Sequence, residues 1–160
     1  MGVFNFILFA YNEYMKKYPI DYKKYILDNV GSDKYRNHFV SKDDALLDVL
    51  QDGRFACAKF VSEILKKFKM IKRIHSTVKA TCKDMMIFGW QEIELKDLRR
   101  GDVLVWERNQ TGNLHIGFYV GRYKAVSNSS QKRIIWKHHY KYRGKRKILK
   151  VLSLLSHDVV

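Results

Sequence analysis

The chain is short of proline, of cysteine and, over its last third, of negative charge. One proline, Pro19, stands among 160 residues, so no proline-rich linker divides the sequence, and no internal repeat or low-complexity tract is visible. The two cysteines, Cys57 and Cys82, have no CxxC partner and no histidine-spaced companions. That argues against a zinc site, and no other metal or cofactor motif is present. Two cysteines without a secretory leader suit a reducing compartment. The opening stretch, MGVFNFILFAYNEYMKKY, lacks a basic n-region and a small-residue cleavage site, and its apolar run is too short to span a bilayer. It reads as a core or interfacial helix over residues 3–18. Localisation stays open between the cytoplasm and delivery by a non-classical route.

No Asp or Glu occurs between Glu107 and Asp158, whereas that interval holds twelve Lys or Arg residues. The whole chain carries a formal charge of +15, which points to a polyanionic neighbour or a strongly solvated basic face. With 46% hydrophobic and 29% charged residues the composition is that of a globular domain rather than a disordered one. One domain over residues 1–160 is expected, with a helical part at 1–50, two helices within 52–88 and a sheet over 101–155.

Phe55–Phe68 organises this reading. Cys57, Phe60, Val61, Ile64, Leu65 and Phe68 recur at i, i+3, i+4, i+7, i+8 and i+11, one face of an α-helix. Ahead of it, Asp21 begins a helix that Gly31 stops. Ser41-Lys42-Asp43-Asp44 resembles an acidic capping box before ALLDVLQ, predicting a further helix closed by Gly53. Thr77–Phe88 is helical by Val78, Cys82, Met85 and Met86, with Cys82 a small buried hydrophobe. Beyond Gly101-Asp102 the period changes. Val103–Trp106, His115–Gly121, Lys124–Asn128, Ile134–Tyr140 and Lys147–Leu154 are short apolar or alternating runs, the pattern of antiparallel strands. Helices first and strands second make an α+β fold, N-terminal helices packed on a C-terminal antiparallel sheet.

A cysteine at a helix start is placed for chemistry, because free N–H groups and the helix dipole favour the thiolate. An imidazole that takes its proton completes a nucleophile, and a third polar group usually fixes that imidazole. Of six histidines, His38 and His75 lie in polar surroundings, His157 in the tail, and His138 and His139 in a basic run that suits surface or phosphate contact. His115 alone opens an apolar strand after a polar loop.

The ordered set ACAKFVSEIL, GW followed by GDVLVW, HIGFYVG and AVSNSS resembles the NlpC/P60 and CHAP families of cysteine peptidases and amidases, over about residues 54–130. The resemblance implies a papain-like fold, Cys57 as nucleophile and His115 as general base, with no cofactor. Its third position falls at Ser127 or Asn128. Ungapped counting from His115 favours Ser127, but the Asn128 amide oxygen is chemically the better acceptor for an imidazole N–H. Asn128 is therefore taken as the third catalytic residue, with Ser127 held open for that place, and Ser127 and Trp106 are otherwise set at the substrate. The Asp-Cys-Ser-Gly common around the nucleophile is Ala56-Cys57-Ala58-Lys59 here, so recognition of a γ-D-glutamyl group is not implied. The expected activity is hydrolysis of an amide or peptide bond, with peptidoglycan or another anionic polymer as substrate. Two alternatives remain. One is a nucleic-acid- or polyanion-binding module using the Tyr, Trp, Lys and Arg residues near Trp136–Arg146. The other is a silent or acyl-transferring member of the same fold.

Overall fold

A computed structural model describes residues 18–110 and 112–154 of the chain. The expected helix over residues 3–18 thus lies almost wholly outside the described residues. Helix α1 spans Ile20–Asp28, with Pro19 as N-cap. A hairpin of β1, Phe39–Lys42, and β2, Ala45–Asp48, follows. Helices α2, Cys57–Lys67, and α3, Val78–Ile87, come next. The remaining strands are β3, Trp90–Ile93; β4, Val103–Trp106; β5, His115–Gly121; β6, Lys124–Ser129; β7, Ile134–His139; and β8, Ile148–Leu154. They form one antiparallel sheet in the order β3-β8-β4-β5-β6-β7. The architecture is α+β, as expected.

The hairpin corrects the helix expected after Ser41. Asp43 and Asp44 adopt φ of 51° and 62°, the left-handed pair of a type I′ turn, which closes a hairpin instead of capping a helix. Leu46 and Leu47 stay exposed, so their spacing reported no buried face. The Asp48 carboxylate then organises the following turn, accepting the backbone N–H groups of His38, Leu50 and Asp52 and the Asn37 amide. Burial opposes its ionisation, but these donors outweigh it and hold the carboxyl down at about 2. A second difference is β3, which adds an edge strand where the sequence shows only a helix exit.

Helix α2 sits on β5 and β6 as its apolar stripe requires. Phe60, Val61, Ile64 and Leu65 are buried against Val103, Val105, Ile116, Phe118 and Val126; burying each of the larger side chains stabilises the fold by about 1.5–3 kcal/mol. Phe118 receives the ring edges of Tyr22 and Phe60 at 5.9 and 5.5 Å. The opposite face of the sheet holds a smaller cluster of Leu104, Trp106, Ala125 and Val151, with Tyr119, Tyr140 and Tyr142 beside it.

The Gly101-Asp102 turn fastens α1 to the sheet. Asp102 is fully buried and accepts hydrogen bonds from Tyr18 Oη at 2.8 Å, Ser153 Oγ at 2.6 Å and the Arg99 N–H at 2.7 Å. Tyr22 Oη donates to the Gly101 carbonyl at 2.9 Å. Gly101 has φ of 105°, and a Cβ there would fall 2.6 Å from the Tyr18 ring, so both backbone angle and space call for glycine.

Candidate active site

Cys57 is the first residue of α2, and its N-cap, Ala56, offers no side-chain acceptor. The N–H groups of the first turn are therefore left to the thiol and to whatever enters the cleft. Burial pushes the Cys57 thiol above its ordinary value, while the backbone N–H groups of Ile116 and Ala58 and the charge of Arg146 pull it down. His115 opens β5 directly beside Ile116 and lines the same cleft as Cys57. The structure thus brings the expected nucleophile and base to one place.

His115 is held from behind. It pairs across the sheet with Trp106, whose ring centroid lies 5.3 Å from the imidazole. Trp106 is wholly enclosed and spends its indole N–H on the Tyr140 carbonyl at 2.7 Å. It is not among the residues lining the cleft, so its expected place at the substrate is corrected: it is the wall behind the imidazole.

The contact to His115 Nε2 comes from Ser127 Oγ, at 2.9 Å. Asn128 points elsewhere. Alternation along β6 sends Ala125 and Ser127 to the face of Trp106, and Val126 and Asn128 to the face of α2. The Asn128 amide donates to the Gly53 carbonyl at 2.7 Å, tying β6 to the loop that leads into Cys57. The placement of Asn128 on the imidazole is therefore corrected; ungapped counting gave the residue the geometry selects. Ser127 reaches His115 because its register partner on β5 is Gly117, where a side chain would fill the intervening space.

Two residues that sequence reasoning passed over complete the cluster. His138 Nε2 lies 2.7 Å from Ser127 Oγ, and its Nδ1 lies 2.9 Å from the His139 carbonyl. Tyr142 stacks on His138 with centroids 4.2 Å apart, its hydroxyl 3.3 Å from Ser127 Oγ. Strand alternation was the available signal: His138 pairs with Ala125 and so shares the face of Ser127, despite its basic neighbours. Burial lowers the pKa of His115 well below that of a free imidazole, and Arg146 and His138 add to the effect. Burial likewise lowers His138 and pushes Tyr142 up to about 12.

The cleft has a volume of about 970 Å³ and is lined by Arg54, Lys79, Arg108, Arg133 and Arg146, with no Asp or Glu among the described lining residues. Cys57 and Cys82 are both free thiols. Among the described residues no three His, Cys, Asp or Glu side chains converge as a metal site, and no helix is long and apolar enough to cross a membrane.

The NlpC/P60 family model matches residues 41–153. The chain belongs to the NlpC/P60 family. The match takes in α2 and the strands that carry His115, Ser127 and His138. Among solved structures the chain is similar to NlpC2 and NlpC1 from Trichomonas vaginalis, at 16% identity and TM-scores of 0.47 and 0.48. Each similarity covers 61% of this chain and 36% or 34% of the other, so this NlpC/P60 chain matches about a third of the length of either neighbour. No curated protein matches it by sequence.

Proposed function

We propose that this NlpC/P60 protein is a cysteine peptidase or amidase that cleaves an amide bond in an anionic substrate, with peptidoglycan stem peptides as the leading candidate. The observation that carries the reading is the meeting of Cys57, at an uncapped helix start, with His115 in one cleft, the imidazole Nε2 being held by Ser127. His115 Nδ1 takes the Sγ proton as sulfur attacks the amide carbonyl. The backbone N–H of Cys57 stabilises the oxyanion. Collapse breaks the C–N bond, and the imidazolium returns its proton to the leaving amine. Water, deprotonated by the same imidazole, then releases the acyl group. A lining that holds five cations and no carboxylate among its described residues favours an anionic substrate.

The test is the release of new amino groups from purified peptidoglycan, compared with Cys57→Ala and His115→Ala. Activity in the parent protein and its loss in both variants is the expected result. No release, together with Cys57 alkylation by iodoacetamide at the same rate in parent and His115→Ala proteins, overturns the reading. The chain's charge of +15 keeps a second reading, a polyanion-binding module; tight binding that falls steeply with salt and is indifferent to Cys57→Ala would favour it.

A further inference from the structure

The donor and acceptor bookkeeping around Ser127 has only one self-consistent solution with both histidines neutral. A carbonyl oxygen only accepts, so the 2.9 Å contact to the His139 carbonyl requires His138 Nδ1 to carry a proton. In neutral His138 the other nitrogen, Nε2, is then a bare lone pair. It lies 2.7 Å from Ser127 Oγ, so the Ser127 hydroxyl donates to it. Having donated its single proton there, Ser127 Oγ can only accept from His115 Nε2, 2.9 Å away. His115 is thereby protonated on Nε2, which leaves Nδ1 as its unprotonated nitrogen.

We infer that His138 is a positioning residue for the reaction: acting through the Ser127 hydroxyl, it sets the tautomer of His115 so that Nδ1 is the base. This rests on the proposed Cys57–His115 reading and adds to it a relay running from His115 through Ser127 and His138 to the His139 carbonyl. The relay also has a definite failure mode. Protonated His138 donates from Nε2, and Ser127 must then turn its proton away from His138, toward His115 or toward Tyr142 Oη at 3.3 Å. Where the hydroxyl turns to His115, the imidazole takes the opposite tautomer, with Nδ1 blocked by a proton.

The surroundings keep His138 neutral. The groups facing it are His115 on β5, Lys124 and Ser127 on β6, His139 on its own strand, and Tyr142 and Arg146 from the segment after β7. None is an acid. Burial, His139, Lys124 and Arg146 all disfavour a charge on the ring, against the His139 carbonyl, which favours it. Tyr142, stacked on His138, holds the ring plane. A solvated surface histidine would need none of these contacts.

The deciding measurement is a long-range ¹H–¹⁵N correlation of the histidine rings of the full chain at a pH of about 7.5, which reads each tautomer directly. The expected result is His115 protonated on Nε2 and His138 on Nδ1. His138 protonated on Nε2, or His115 on Nδ1, overturns the inference on the parent protein alone, without relying on a variant's folding. In a Cys82→Ala background, His138→Ala should slow iodoacetamide labelling of Cys57 by about tenfold, less than the 10²–10⁴-fold a general base typically contributes. His138→Gln, whose amide oxygen can accept from Ser127, should recover much of the rate. Labelling unchanged in His138→Ala but slowed in His115→Ala overturns the relay and leaves the dyad standing. Labelling indifferent to His115→Ala overturns both.

Discussion

Gly117→Ala adds one methyl group at the point where β5 and β6 come closest. Its Cβ would lie 2.7 Å from Ser127 Cβ, 2.7 Å from the Val126 carbonyl oxygen and 3.1 Å from a carbon of the Trp106 ring. Comfortable carbon–carbon separation is about 3.5–4.0 Å, so β6 must retreat by close to 1 Å. Two of the three neighbours belong to the strand itself and the third is a fully enclosed indole, which leaves no flexible side chain to give way. Overpacking of this kind costs about 1–3 kcal/mol. Replacing glycine in a strand returns roughly 0.5–1 kcal/mol by restricting the unfolded chain. A net loss of about 1–2 kcal/mol follows, which in a domain of this size lowers Tm by about 2–8 °C.

The larger effect falls on the site. A retreat of about 1 Å turns the 2.9 Å contact between His115 and Ser127 into a separation at which a hydrogen bond is no longer made. Gly117→Ala should therefore fold, melt a few degrees lower, and label at Cys57 as slowly as Ser127→Ala does. Thermal unfolding and iodoacetamide kinetics on the same preparations check both halves. An unchanged Tm with unchanged labelling would refute the reasoning, because it would mean that the strands separate at no cost and that Ser127 need not touch His115.

Three further outcomes are expected. Asp102→Ala strips the acceptor from Tyr18, Ser153 and the Arg99 N–H and should cost about 3–5 kcal/mol in urea unfolding. Asn128→Ala deprives the Gly53 carbonyl of its donor and should cost about 1–2 kcal/mol while leaving the His115 tautomer intact, whereas Ser127→Ala should do the reverse; nitrogen-resolved NMR and denaturation separate the two. Burial resists ionisation of Asp84, but His75 Nε2 at 2.7 Å and the N–H groups of Arg73 and Lys72 outweigh it and lower its pKa. Its folded pKa thus lies below the unfolded one, so its contribution is present above the unfolded pKa and is lost as pH falls through the folded value; Asp84→Asn should flatten the fall of Tm with acid below about pH 4.

Much of this was legible in periodicity and punctuation. The 3.6-residue stripe on Phe55–Phe68 placed α2, and Thr77 caps α3 by accepting the Ala80 N–H. The Gly101-Asp102 turn and the short runs after it gave five of the six strands of the large sheet. The β1–β2 hairpin was hidden because a two-residue Asp-Asp turn and a capping box use the same residue types, and only backbone angles separate them. The choice between Ser127 and Asn128 was made on acceptor chemistry, while the deciding quantity was which face of β6 each residue occupies. His138 was lost in its composition: among Lys137, His139 and Lys141 it reads as surface, and only pairing with Ala125 turns it inward.

The electrostatics of the pair bear on when the proposed chemistry can begin. Burial raises the Cys57 thiol and lowers the His115 imidazole, so both shifts favour the neutral thiol–imidazole state over a resting thiolate–imidazolium pair. Arg146 pulls both groups down, easing ionisation of the thiol while discouraging a proton on the ring. Its guanidinium is fixed by the Glu107 and Asn113 carbonyls at 3.0 and 3.2 Å, so this bias is built into the fold. A carboxylate entering the cation-lined cleft would screen Arg146, which eases a proton onto the His115 ring and equally withdraws the help Arg146 gives to ionisation of the thiol. On the proposed reading, an anionic substrate moves both groups the same way, making His115 a stronger base and Cys57 a weaker acid than a neutral analogue of the same shape would.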